Sequence, residues 1–513
     1  MSFSRIMSAT LQGMEVIPVQ VEADVSNGLP VFHMVGYLSA EVKEAGERVR
    51  TAIHNSDITI PAKRTVINLS PGNVRKRGTS YDLPIALSIL MAIGELESDC
   101  LDRVMAVGEL GLDGSVRGIH GILPIAAKAR KEGATCLIVP AANEEEARLV
   151  EGLRVLGTDS LRRLCEILRS RQKAIGSIQE HRQDKIEKEE KKKADFADIR
   201  GQQAVKRAAE VAVAGHHNLL MIGPPGGGKS MIARRIPTIL PSLTWEESMQ
   251  ITKVYSIAGM LKPEHPLVTS RPFREVHQTA TRSSLLGGGA WPRPGEITLA
   301  SGGVLFLDEL AEFPRSVLEV LRQPLEERMV RITRSQGTYE YPADIMLVAA
   351  TNLCPCGYYP DYNRCTCTPF QINQYQGKIS QPFLGRMDIC VEVPGVQFED
   401  LKGNSDEETS EDIRRRVERA RICQLKRCKG KTNIFNAELS GDELAEYCKL
   451  GIEEERMMRQ AFETLSLNAR TYHKVLKVAR TIADLEGKER IGIAHLQEAL
   501  IYRSIDKKYW GKI

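Results

Sequence analysis

The octapeptide GPPGGGKS, Gly223, Pro224, Pro225, Gly226, Gly227, Gly228, Lys229 and Ser230, places flexible backbone, one ammonium and one hydroxyl in immediate succession. Glycines let backbone N–H groups converge on phosphate oxygens, the lysine neutralises the β and γ oxygens, and the hydroxyl can ligate Mg²⁺. A second chemical pair follows the apolar run VLFL: Asp308 and Glu309. Adjacent carboxylates at the end of a buried strand repel each other and call for a cation. Asp308 is therefore expected to hold the Mg²⁺ with Ser230, and Glu309 to polarise an attacking water. A third residue, Asn352, ends the run DIMLVAATN and suits the orientation of water near a γ-phosphate. Together these types and spacings describe a nucleoside-triphosphate hydrolase that works with Mg²⁺.

Such groups work only if strands deliver them to one place. NLLMI before the glycine-rich loop, VLFL before the acids and IMLVAAT before the asparagine read as buried β-strands, and SMIARRI after the loop reads as a helix. Strands alternating with helices predict a parallel sheet covered on both faces. From about residue 405 onward the pattern turns to long helical stretches such as DIRRRVERARICQLKRC and TYHKVLKVARTIADL. Upstream, TVINLSP and TCLIVPA read as short strands and YDLPIALSILMAIGEL and ILPIAAKARKEGA as helices, a second α/β block. Between the blocks, residues 171–194 hold few large apolar side chains and end in the charge run EKEEKKKA, the signature of a solvated linker. The division expected is 1–170, a linker at 171–194, a nucleotide-binding core at 195–400 and a helical lid at 401–513.

The bulk composition excludes little but points one way. The 513 residues carry a net charge of +4, so no global basic character advertises nucleic acid, and any such partner must be met by local patches. No apolar run reaches membrane-spanning length, and the N-terminus reads as strand and turn rather than a signal peptide. The expected compartment is the cytoplasm. Seven of the 11 cysteines are scattered and are expected to be free thiols.

Longer stretches carry a resemblance. DFADIRGQQAVKRAAEVAVAGHHNLLMIGPPGGGKS, RPFREVHQTATRSSLLGGGAWPRPGEITLASGGVLFLDEL, NLCPCGYY and LNARTYHKVLKVARTIADL resemble the Mg-chelatase-like branch of AAA+ ATPases, and within it the ComM/YifB family. The resemblance implies a homo-oligomeric ring, usually a hexamer, with ATP between subunits, and an ATPase that binds single-stranded or branched DNA and drives branch migration during competence. It also implies that Arg386, in SQPFLGRMDI, is an arginine finger and Arg470, in LNARTYHKV, a sensor arginine of the lid. The family form near the finger is closer to SGPLLDRID, and two of this chain's departures from it, Gln381 and Gly385, bear on the finger. The N-terminal block resembles a Lon-protease-type domain in which Ser80 lies near the nucleophile position and Leu123 stands where the lysine base would be. A serine without its base is a poor nucleophile, so the block is expected to bind or assemble rather than cleave. The alternative function is a chelatase-like motor subunit that remodels a protein partner or inserts a metal ion.

Two features remain. MVRITRSQGTYEYPAD reads as a β-hairpin, and in related ring helicases such a hairpin enters the pore. Arg331 and Arg334 would then meet phosphates, and Tyr339 and Tyr341 would stack on bases; Arg271, Arg274 and Arg282 in the preceding insert are weaker candidates. Finally, Cys354, Cys356, Cys365 and Cys367 form two Cys-x-Cys pairs just after Asn352. Zn²⁺, free thiols and a redox pair all fit the sequence, with Cys-x-Cys tighter than the usual zinc spacing.

Overall fold

The structure, a computed structural model, describes residues 3–170, 194–289, 292–334, 337–395, 407–428 and 435–511. All but the last residue of the charged 171–194 segment, and two residues of the SQG turn, lie outside the described residues. The chain forms two compact units, one of residues 1–187, 245–269 and 333–340, the other of residues 188–244, 270–332 and 341–513. Two pieces of the 195–400 stretch thus group with the N-terminal block. No described helix is long and apolar enough to cross a membrane.

The first unit is built on a seven-stranded mixed sheet in the order Phe32–Val35, Arg64–Ser70, Glu15–Ser26, Phe3–Gln12, Val104–Ala106, Cys136–Pro140, Arg154–Thr158. Glu15–Ser26 alternates buried and half-exposed positions along most of its length, the period-two pattern of a strand with one covered face. The helix Asp82–Ala92 is buried all round, which is why its sequence, DLPIALSILMA, shows no polar stripe. Its single charge, Asp82, is held by a bidentate pair with Arg48 at 2.8 and 2.9 Å. Leu123 lies fully buried in the helix Ile122–Lys131, and Ser80 uses its carbonyl to accept the Gly108 N–H at 2.9 Å. From the second stretch, the helix Trp245–Ala258 brings Met249 against the core that contains Leu123, and the Ser256 carbonyl accepts the Gly121 N–H at 3.0 Å.

The second unit carries a five-stranded parallel sheet in the order Phe273–Val276, Val304–Leu307, Met346–Thr351, Leu219–Ile222, Ile389–Glu392. The middle three strands are buried at every position, the continuous apolar runs expected of parallel strands covered on both faces. Pairing Leu307 with Ala349 and Ile222 with Thr351 aligns the carboxyl ends, so Asp308, Asn352 and Gly223 emerge along one edge. Ligands of open α/β sheets sit at that edge. The helices Ser410–Arg427, Ile452–Thr464, Ala469–Leu485 and Ile493–Trp510 follow. Asn468 caps Ala469–Leu485 by accepting the Thr471 N–H at 2.9 Å, which fixes Arg470 in the first turn.

Candidate active site

The glycine-rich loop leaves the strand Leu219–Ile222 and turns into a helix that begins at Lys229. Gly228 makes the turn at φ +82°, a conformation a side chain would resist. Gly223 is required for a different reason: a Cβ there would lie 2.2 Å from the Val393 carbonyl oxygen of the neighbouring chain segment. Within this loop the Lys229 ammonium donates to the Gly223 and Pro224 carbonyls at 2.7 and 2.8 Å and to Asn352 Oδ1 at 3.0 Å. Burial lowers its pKa to about 8, against the opposing pull of Asp308 and Glu309.

On the adjacent strand end, Ser230 Oγ donates to Asp308 Oδ2 at 2.5 Å. A hydroxyl and a carboxylate converging beside a second acid form a set of hard oxygen donors, which is the chemistry Mg²⁺ selects. Glu309 is exposed and holds a left-handed backbone, φ +51°, pinned by its own N–H to Asp308 Oδ1 at 2.9 Å and by the Glu312 N–H to its carbonyl at 2.7 Å. A non-glycine residue in that region is strained, and such strain persists where the surroundings enforce it. The enforced turn separates the two acids: Asp308 faces Ser230, and Glu309 faces solvent. Lys229, Ser230, Asp308 and Asn352 are thus joined directly, with Glu309 next to them.

The two arginines are elsewhere. Arg386 is almost fully buried, donates to the Arg322 and Pro382 carbonyls, and pairs with Glu326 at 3.0 Å. Arg470, half exposed, reaches the same Glu326 oxygen. Arg322 joins them, paired to Glu319 at 2.5 Å. Three guanidiniums therefore share two carboxylates. Burial and the nearby Arg322 both lower the Arg386 pKa, against the pull of Glu319. Glu326 supplies an acid to Arg386 although position 385 is glycine, and Gln381, the other departure, donates to the Trp510 carbonyl at 2.7 Å.

Three Magnesium chelatase descriptions match the chain in succession: "Subunit ChlI of Mg-chelatase" over residues 21–143, "Magnesium chelatase, subunit ChlI" over 195–401 and "Magnesium chelatase, subunit ChlI C-terminal" over 407–503. Competence protein ComM of Haemophilus influenzae is 40% identical over 506 residues, 98% of each chain. Protein YifB of Escherichia coli is 40% identical over 517 residues, covering 99% of this chain and 98% of its own. A Mycobacterium bovis protein, Mb2921c, is 37% identical over 504 residues, 98% of this chain and 99% of its own. The chain belongs to the Mg-chelatase-like ComM/YifB family. It is by family an AAA+ ATPase, for which ATP and Mg²⁺ are the implied substrate and metal.

Sequence reasoning about this ComM/YifB chain passed over a strap and a cavity. Gln202, at φ +56°, donates from Nε2 to the Gly227 carbonyl at 2.8 Å and holds the phosphate loop from the N-terminal side. Beside it, a cavity of about 180 Å³ is lined by Ile199, Arg200, Gln202, Gly228, Met231 and Ile232. Gln202 is the N-cap of the helix Gln203–Gly215 but makes no side-chain cap bond, and no local motif in DFADIRGQQ marks it.

Half of the expected nucleic-acid face is corrected by packing. Met329–Arg334 and Gly337–Pro342 do pair as a two-stranded sheet. Tyr341, however, is fully buried and donates its hydroxyl to the Pro292 carbonyl at 2.6 Å, and Tyr339 is buried beside Arg77. Neither ring is available to stack on a base. Arg331 and Arg334 remain exposed, the former paired with Glu327 at 3.1 Å. The insert arginines are engaged within the chain: Arg271 donates to the Pro241 and Gly302 carbonyls, Arg274 makes a bidentate pair with Glu296, and Arg282, still exposed, donates to the Ser316 carbonyl.

Proposed function

We propose that the protein is a ring-forming ATPase that couples ATP hydrolysis to movement along, or branch migration of, DNA. The observation that carries the hydrolytic part is the division of labour between two clusters in one unit. Lys229 and the backbone N–H groups from Gly226 to Ser230 cradle the phosphates, and the cavity beside Gly228 takes the base. Ser230 and Asp308 would hold Mg²⁺, which would screen the phosphate charge. Glu309, whose carboxylate is open to solvent, takes the proton of the attacking water, and Asn352 orients that water once Lys229 has turned from it to phosphate. The Arg386 and Arg470 cluster carries a surplus of positive charge and has no contact with these residues, which suits a γ-phosphate bound by a neighbouring copy. An arginine supplied in trans is a recurrent device of phosphoryl transfer.

DNA as partner is supported by the competence name of the Haemophilus relative and by exposed Arg331 and Arg334 on one hairpin. These would contact phosphates without reading sequence. A second reading, a chelatase-like motor acting on a protein partner, is supported by the three ChlI descriptions. ATPase rates measured with and without branched DNA separate the two. The DNA reading predicts stimulation by DNA that is weakened in Arg331→Ala/Arg334→Ala, whose basal rate is unchanged. A wild-type protein that neither binds branched DNA with ATP present nor responds to it leaves the chelatase-like reading in its place.

A further inference from the structure

We propose that Cys354, Cys356, Cys365 and Cys367 hold one Zn²⁺ as a tetrathiolate, on a loop that ties the end of the Met346–Thr351 strand to the phosphate loop. Their four sulfurs lie within 4.8 Å of one another, and no other such group of metal-ligating side chains occurs among the described residues. Cys354 to Cys356 is 3.3 Å, Cys356 to Cys365 3.5 Å and Cys354 to Cys365 3.8 Å. A tetrahedron with zinc–sulfur bonds of about 2.3 Å has edges of about 3.8 Å, so a single ion at the centre reaches all four. A multinuclear iron–sulfur cluster separates its cysteines by the breadth of the cluster, and this space is too small for one.

The loop is built to make that convergence. Gly357, at φ +85°, returns its N–H to the Cys354 carbonyl at 3.0 Å, which folds the first pair into a knuckle despite the tight Cys-x-Cys spacing. Asp361 then turns the chain back: its carbonyl accepts the Arg364 and Cys365 N–H groups at 3.1 and 2.8 Å, and its side chain accepts the Asn363 N–H at 3.0 Å. The Tyr359 N–H points at Cys354 Sγ at 3.4 Å, the outer-shell bond that a metal-bound thiolate takes. Cys354 is buried and the other three are half-exposed, which leaves an entry path for the ion. Ligation releases the thiol protons to solvent and needs no oxidant.

The position gives the site a consequence. Cys354 lies two residues past Asn352, and a Cβ on Gly357 would stand 2.5 Å from Pro225 Cδ, so the knuckle rests directly on the phosphate loop. On its other side, Gln376 donates to the Leu353 carbonyl at 3.3 Å and Trp510 donates to the Gln376 carbonyl at 3.0 Å. An ion here braces the Asn352 strand end against both neighbours.

The test uses the full chain expressed with zinc, equilibrated with excess ZnCl₂, gel-filtered without chelator and analysed by mass spectrometry for zinc and iron. The expected result is about one zinc per chain. Cys365→Ser/Cys367→Ser should lose it, while Cys423→Ser, at an exposed cysteine outside the loop, should keep it. If the double variant does not fold, Cys367→Ser alone should release zinc to a chromophoric chelator faster than the wild type. Cobalt added in place of zinc should give the intense thiolate-to-metal absorption of a tetrahedral site. Zinc well below one per chain, iron in its place, or zinc retained by the serine variants overturns the proposal. ATP turnover is not among these readouts, so failure of the hydrolase reading would leave this result standing.

Discussion

The phosphate-loop cluster and the arginine cluster belong to the same unit but are completed in opposite ways. Around Lys229 the polar groups answer one another, with only Glu309 facing solvent: carbonyls and Asn352 receive the ammonium, and Asp308 receives Ser230. Around Arg386, one Glu326 oxygen serves two guanidiniums, and Arg470 and Glu326 are both open to solvent. Buried or half-buried cations in excess of their acids cost free energy unless an anion arrives. The first cluster is a site ready for its own ligand, and the second, on the proposed reading, is half of a site whose anion comes from outside the subunit. On the reading proposed above, the difference is that of a catalytic apparatus divided between neighbouring chains.

Lys229→Ala attacks the first cluster alone and should have the largest effect, with loss of ATP binding and a fall in turnover of at least about 10²-fold. Fluorescent-nucleotide titration of the purified variant checks the binding half, and unchanged affinity would remove Lys229 from the phosphate site. Arg386→Ala should separate the clusters: hydrolysis falls by about 10³-fold, the scale of a lost arginine finger, while dilute subunits bind ATP as before. Arg470→Ala should follow Arg386→Ala in this pattern, because the two share Glu326; a pure binding defect would instead assign it to the first cluster.

A pH titration sharpens the comparison further. Lys229 is lowered to about 8 by burial. Below that pH it is charged and meets phosphate directly; as pH rises through 8 it sheds its proton, and binding must recover it. Affinity for a non-hydrolysable ATP analogue should therefore weaken above pH 8, by up to about tenfold per pH unit. The arginines stay protonated over that range, so the effect should vanish from a saturated turnover rate. The smallest effect is expected at the hairpin: Tyr341→Phe removes one buried hydrogen bond, worth about 1 kcal/mol of stability by denaturant melts, and leaves DNA affinity unchanged. Tyr341→Leu, which removes the ring, should likewise leave DNA affinity unchanged in the folded variant, and weakened DNA binding there would restore the stacking role that burial denies.

The sequence made the first cluster readable because each of its residues ends or follows an apolar run, and parallel pairing aligns those ends. Burial of VLFL and the six-residue strand before Asn352 follows from composition alone. The arginine cluster was nameable only by resemblance. Glu326, Arg386 and Arg470 come from three distant stretches, and nothing local in PLEERM announces that Glu326 will face both arginines. The tyrosines of the hairpin misled for a related reason. Period-two alternation says which residues share a face, but not which face is covered, and here the covered face is the aromatic one. Gln202 was overlooked because a glutamine ahead of a helix carries no motif.

The central claim is that one chain's Lys229 and Glu309 work with another chain's Arg386. Its most direct test is the ATPase rate of mixtures of Glu309→Gln and Arg386→Ala subunits, each inactive alone. In a mixed assembly, an Arg386→Ala subunit offers an intact Glu309 to a Glu309→Gln neighbour that offers an intact Arg386. The account predicts activity that rises on mixing and peaks near equal proportions. If every mixture remains as inactive as its parents, with assembly of the mixed species verified, both clusters act within one subunit and the account is wrong.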